Sequence, residues 1–250
     1  MLKFIKNWPG EIANLLFPGI CRHCGGDLDG SDTILCPDCW QGLRQSMSHS
    51  YCPTCGKDIG KFELVDDRCH RCKDKRPMIS RFGRLGRYDL TLRELILKLK
   101  YQKRSTLEGV FGQLLASVLI SDPYYTDVDI LIPVPMHWTR KFIRSFNQTD
   151  IVAIELKKQM KKQGRHLKIN YDLVRTRRTP PLAGLSDSQR REIIKGAFSV
   201  RPDVNFANKH ICIIDDITTS GITLKESARA INSAGAAKIS ALVLAVAGQD

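Results

Sequence analysis

Eight of the nine cysteines in this chain fall into four Cys-x2-Cys pairs: Cys21/Cys24, Cys36/Cys39, Cys52/Cys55 and Cys69/Cys72. The pattern repeats. Cys21-x2-Cys24-Gly25 leads to a second pair, and Cys52-x2-Cys55-Gly56 leads to another, with a shift of 31 to 33 residues between the units. A module of about 20 residues cannot bury enough apolar surface to fold unaided, so a bound ion has to supply folding energy. Each Cys-x2-Cys turn points two thiolates at one ion, and a second turn completes a tetrahedron, which is zinc chemistry. The reading is two structural zinc sites, one from Cys21, Cys24, Cys36 and Cys39 and the other from Cys52, Cys55, Cys69 and Cys72. An interleaved pairing satisfies the same spacing. His23 and His70 lie inside the turns, but the thiolate sets are already complete. Disulfides fit poorly with the expectation of a cytoplasmic chain, and a redox pair would need only one such turn. Cys212 stands apart in an apolar run and reads as core.

The second organising stretch is ICIIDDITTSGIT, residues 211–223. The apolar run Ile211 to Ile214 suits a buried parallel strand. It meets Asp215 and Asp216, then a small polar turn, then a helical pattern with Leu224, Ala228 and Ile231 on one side. Free N–H groups and the positive dipole end at a helix start favour an anion. Gly221 permits close backbone approach, and the hydroxyls of Thr218, Thr219, Ser220 and Thr223 can donate to it. Two acids beside such a cradle suit a sugar phosphate. No GxxxxGK[ST] or GxGxxG motif occurs, which argues against a P-loop and a dinucleotide fold. Without a ligand the same pattern would be a capped strand–helix junction.

With 250 residues the chain has room for one full domain and a small one. Its net charge of +13 implies an anionic partner: nucleic acid, a phosphorylated ligand or an acidic surface. Lys6, Asn7, Pro9 and Glu11 interrupt the mildly apolar N-terminus, so no signal or membrane span is expected. A short N-terminal helix packed on the body is expected instead. The domains are drawn as 1–76 and 77–250, with a linker over 73–81. Trp40, Tyr51 and Phe62 stand near Arg44, Lys57 and Lys61. They read either as a stacking surface for single-stranded nucleic acid or as a small core and docking face.

Between the two stretches, RFGRLGRYD reads as a strand. TLRELILKLKYQ has Leu92, Leu95, Ile96 and Leu99 at helical spacing, with Arg93, Lys98 and Lys100 on its outward face. Helices follow at 107–120 and about 148–163. A buried strand from Val128 to Val134 ends in Pro133 and Pro135, whose turn presents backbone groups to a ligand. The segment RTRRTPPLAGLSDSQRREIIKGAF is cation-rich, with Arg175, Arg177, Arg178, Arg190, Arg191 and Lys195. It suits a lid over an anion. An apolar strand at 238–246 completes an α/β sheet with helices on both faces.

The stretch 211–223 resembles the phosphoribosyl-pyrophosphate (PRPP) motif of type I phosphoribosyltransferases. The resemblance implies that Asp215 and Asp216 meet the ribose hydroxyls as the catalytic acids, that residues 218–223 hold the 5′-phosphate, and that Mg2+ arrives with the pyrophosphate. It places a pyrophosphate loop at Val134, Pro135, Met136 and His137, with Arg140, Lys141 and Arg144 nearby, and lid contacts at Arg177, Arg178 and Arg190. The double ribbon, LILKLKY, IPVPMH, RSFNQ, RTPPLAGLSDSQRR, KGAF and DDITTSGIT, in this order, resemble the ComF family over nearly the whole chain. The family usually has Gly at Ser145, and often Gln at Leu182 and Asn at Ile193. Its members are associated with natural transformation, so the implied partners are PRPP, single-stranded DNA and other DNA-uptake proteins. An active phosphoribosyltransferase and a nucleic-acid adaptor with a vestigial transferase fold are the alternatives.

Overall fold

The computed structural model describes residues 19–28, 34–60, 63–101, 106–136, 146–177, 179–180 and 185–248. The expected N-terminal helix, Lys61, Phe62, Lys103, Arg104, His137, Arg140, Lys141, Arg144, Ser145, Arg178 and Leu182 lie outside the described residues.

The N-terminal part is built from short pieces. Strands β1 (Gly19–Ile20) and β2 (Asp27–Leu28) pair antiparallel around the first Cys-x2-Cys turn, and helix α1 (Pro37–Met47) begins within the next, with Cys36 as its N-cap. Strands β3 (Leu64–Val65) and β4 (Arg68–Cys69) form a second small hairpin. The larger part begins at β5 (Arg81–Arg87) and continues through α2 (Leu90–Tyr101), α3 (Leu107–Ser121), β6 (Ile130–Pro133), α4 (Gln148–Lys162), β7 (Lys168–Ile169), β8 (Leu173–Arg175), α5 (Asp187–Ile194), β9 (Phe198–Val200), β10 (His210–Thr218), α6 (Ile222–Ser233) and β11 (Lys238–Val246).

A five-stranded sheet of order β5-β11-β10-β6-β7, parallel throughout, forms the centre. Alternate residues of a strand point to opposite faces, and β10 and β11 are apolar on both. Cys212, Ile214, Leu242 and Leu244 pack with α2, α3 and α4 on one face. Ile211, Ile213, Ala241 and Val243 pack with α6 and β9 on the other. Cys212 is fully buried, and burial pushes its thiol up to about 12. β10 runs beyond Ile214 through both acids to Thr218, because β11 offers parallel partners as far as Val246.

No flexible connector separates the two parts. The expected linker contains Ile79, which joins the core, and the Ser80 N–H donates to the Ile239 carbonyl at 2.9 Å. The Phe82 N–H of edge strand β5 donates to the Pro53 carbonyl at 2.6 Å. The Phe82 ring lies against Gly56, whose φ of +72° an L residue rarely adopts. A Cβ at Gly86 would stand 2.7 Å from the Ser46 carbonyl carbon, so glycine is what lets the end of α1 meet β5. Arg84 and Arg87 of β5 both pair with Asp58, and the Arg84 guanidinium stacks on the Tyr51 ring at 4.8 Å. Trp40 packs against the main core. The described aromatics of the ribbons, Trp40 and Tyr51, therefore serve docking.

Candidate ligand site and cysteine centres

The eight paired cysteines form two sets, Cys21, Cys24, Cys36, Cys39 and Cys52, Cys55, Cys69, Cys72, with all sulfurs of a set within 4.8 Å of one another. The pairing is sequential, not interleaved. Cys24 and Cys36 Sγ are 3.8 Å apart, and Cys55 and Cys69 Sγ 3.9 Å. A tetrahedral ion with bonds of about 2.3 Å to sulfur has edges of about 3.8 Å, so the donor sets fit zinc. Backbone N–H groups point at the sulfurs: Cys36 N–H to Cys21 Sγ at 3.3 Å and Cys69 N–H to Cys52 Sγ at 3.4 Å. The Cys55 thiol and the backbone amides of Cys69, Thr54 and Cys55 hold Cys52 down to about 4 against the effect of burial. His23 is not a ligand. Its Nδ1 lies 3.1 Å from Cys39 Sγ and its Nε2 2.9 Å from Glu94 of α2, so it bridges the first centre to the larger part.

The proposed sugar-phosphate turn lies at the C-terminal end of β10. Asp215 Oδ1 accepts the Asp216 N–H at 2.9 Å, and Asp216 Oδ1 accepts the Ile217 N–H at 2.6 Å. Burial, and then the neighbouring Asp216 carboxylate, push Asp215 up to about 8. A carboxyl raised in this way favours the folded state at acid pH. That contribution is lost as pH climbs from about 4, the unfolded value, through about 8.

Thr218 is buried, Thr219 is exposed, and Ser220 and Thr223 are half-buried. Gly221 is the N-cap of α6 at φ +72°, with no side-chain cap, and nothing lies within 4 Å of where its Cβ would stand. The first-turn N–H groups of α6 are thus left for solvent or an anion.

Two neighbours complete the arrangement. In the parallel register Ile214 sits beside Pro133 of β6, so the loop after β6 starts next to the acids. Val134 donates its N–H to the Ile214 carbonyl at 2.8 Å, and its own carbonyl accepts from Asn147 Nδ2 at 3.2 Å and Thr149 Oγ1 at 3.0 Å. Pro135 and Met136 follow and line a cleft with Asp150, Tyr171 and Arg175.

The segment expected to form a lid connects β8 and β9, which pair antiparallel. Its helix α5 starts in a reciprocal cap between Ser186 and Gln189. Arg190 reaches Thr219 Oγ1 at 2.8 Å, bringing the lid onto the turn. Arg177 does not come to the turn. It donates to the carbonyls of Ile193 and Lys195 at 2.8 and 2.9 Å, at the end of α5.

Four side chains here have contacts that sequence reasoning did not foresee, although Arg175 is one of the cations expected to face an anion. Asn147 and Thr149 clamp the β6 loop. Arg175 lies close enough for its charge to act on Asp215. Lys100 does not face solvent with its neighbours but pairs with Asp216 at 3.0 Å. Lys98 is likewise spent, donating to the carbonyls of Arg22, at 3.1 Å, and His23. For Asn147 the signal was present, a polar residue just before a helix. For the lysines there was none.

Comparison with known proteins agrees with this architecture. Residues 12–77 match a double zinc ribbon domain and residues 150–250 a phosphoribosyl transferase domain. "DNA utilization protein YhgH" of Escherichia coli O157:H7 is 30% identical over 90% of this chain and 96% of its own length. The chain belongs to the ComF family. "Competence protein F" of Haemophilus influenzae is 28% identical over 88% of this ComF chain and 93% of its own. Among solved structures, a glutamine PRPP amidotransferase from B. subtilis superposes with a TM-score of 0.38 and 15% identity, over 59% of this chain and 30% of that one. That overlap is too loose to carry an argument. In this ComF chain the two cysteine centres and the parallel sheet are therefore the double ribbon and the transferase fold of the family. Among the described residues no helix is long and apolar enough to cross a membrane.

Proposed function

We propose that this chain binds PRPP with Mg2+ at the β10–α6 turn and supports the handling of single-stranded DNA during natural transformation, in the cytoplasm. The observation that carries the reading is the uncapped, glycine-opened start of α6 one short turn after two adjacent acids, with Arg190 touching the same turn. On this reading Asp215 and Asp216 accept from the ribose hydroxyls. The N–H groups and hydroxyls of residues 219–223 hold the 5′-phosphate, and the loop at Val134, Pro135 and Met136 faces the pyrophosphate. Magnesium bound to the diphosphate would neutralise its charge. The DNA role is supported by the names of the relatives and by the net charge of +13.

Calorimetry with Mg-PRPP tests the site. The wild type is expected to bind, and a chain with Asp215→Asn and Asp216→Asn to lose binding. Equal affinity of the two would refute the reading. Binding of single-stranded DNA is expected to weaken steeply with salt.

Transferase chemistry is a second reading, favoured by the β6 loop lying beside the acids, where departing pyrophosphate would be held. Release of pyrophosphate with a base or amine acceptor would support it. No release across a panel of acceptors would leave a binding protein.

A further inference from the structure

Lys100, near the end of α2, places Nζ 3.0 Å from Asp216 Oδ2, and only 15% and 18% of the two side chains are exposed. A pair so withdrawn from water costs desolvation of both charges, so its presence is no stability argument by itself. The end of α2 that carries Lys100 is tied down at two points. The Lys100 carbonyl accepts from Gln148 Nε2 of α4 at 3.4 Å, and Lys98, half a turn earlier, is anchored on the Arg22 and His23 carbonyls of the first ribbon. Asp216 retains acceptor capacity, because each carboxylate oxygen can take more than one donor.

We infer that Lys100 is the positioning residue of the ribose site, fixing the direction of Asp216 and favouring a negative charge on the acid pair before a sugar diphosphate arrives. The inference rests on the PRPP reading above. The charged groups acting on the pair are Lys100 from α2, Arg175 from β8 and the two acids on each other. Arg190 of α5 reaches Thr219 of the adjoining turn. Two adjacent carboxylates resist double ionisation, and the ammonium is the one cation in direct contact with Asp216 among the described residues. Removing it lets the pair keep a proton to higher pH.

The test compares Lys100→Met and Lys100→Arg in the zinc-loaded full chain. The first readout needs no ligand: carboxyl carbon NMR of Asp215 and Asp216 through a pH titration. Lys100→Met is expected to move the titration of the pair to higher pH, and Lys100→Arg to keep it near wild type. The second is calorimetry with Mg-PRPP. Lys100→Met is expected to lose about tenfold in affinity at about pH 6.5 and to recover most of it at about pH 8.5. A wild type that binds PRPP, with a Lys100→Met chain whose titration is unmoved or whose loss is the same at both pH values, overturns the role of Lys100 and leaves the PRPP reading intact. A wild type that takes no PRPP overturns the reading, and the positioning role with it.

Discussion

Asp58 is the residue on which the joint between the ribbons and the sheet depends most. It lies between Arg84 and Arg87 of β5, and the Arg84 side chain is only 1% exposed. Nε and Nη1 of Arg84 have no partner, while Nη2 reaches Asp58 and, at 3.5 Å, the His49 carbonyl. Truncating Asp58→Ala would leave a buried guanidinium with the Tyr51 ring and one long carbonyl contact as its remaining support. Removing one partner of such a pair costs about 3–5 kcal/mol, most of it the uncompensated charge. With a urea slope near the upper end of about 1–3 kcal/mol/M, the midpoint should fall by roughly 1–2 M. The assay is urea unfolding of the zinc-loaded chain followed by circular dichroism. Two comparisons sharpen it. Asp67→Ala breaks an exposed pair with Arg81 at 3.2 Å and should cost less than about 1 kcal/mol. Adding Arg84→Met to Asp58→Ala removes the stranded charge and should return part of the loss. An Asp58→Ala chain that loses less than about 1 kcal/mol, or a double variant no better than the single, would refute the reasoning.

Gly221→Ala places an L residue at φ +72°, at a cost of about 1–2 kcal/mol in thermal melting. It also sets a methyl group in the turn, so PRPP affinity should fall by more than that loss of stability explains; parallel losses would count against a phosphate there. Metal analysis should find two zinc ions per chain, one for each cysteine set, and a strong chelator should lower the melting temperature of the larger part as well as unfold the ribbons. One zinc ion, or an unchanged melt after chelation, would contradict the docking described above.

Much of the fold was legible from periodicity. The expected helices at 107–120 and 148–163 appear as Leu107–Ser121 and Gln148–Lys162, and the strand at 238–246 as Lys238–Val246. Their apolar spacing is dense enough to mark both type and extent. The cysteine sets were legible because local spacing nearly determines which sulfurs meet. Lys100 was not, because a lysine on a helix reads as surface until its partner, in a strand far along the chain, is known. Arg84 hid for the same reason, as a cation in a strand whose counterion lies in another module. The ribbon aromatics left both stacking and docking open, since Trp40 and Tyr51 suit either surface; in the structure both contact the larger part.

The ribbon laid along β5 also bears on solubility. β5 is the outer strand of a parallel sheet, and its Phe82 N–H is taken by Pro53 of the second cysteine turn. A chain begun at residue 77 would present that strand bare, an invitation for other chains to add to it. A cell short of zinc would therefore accumulate sticky, self-associating molecules as well as a missing module, and the metal guards against aggregation at a distance from either ion.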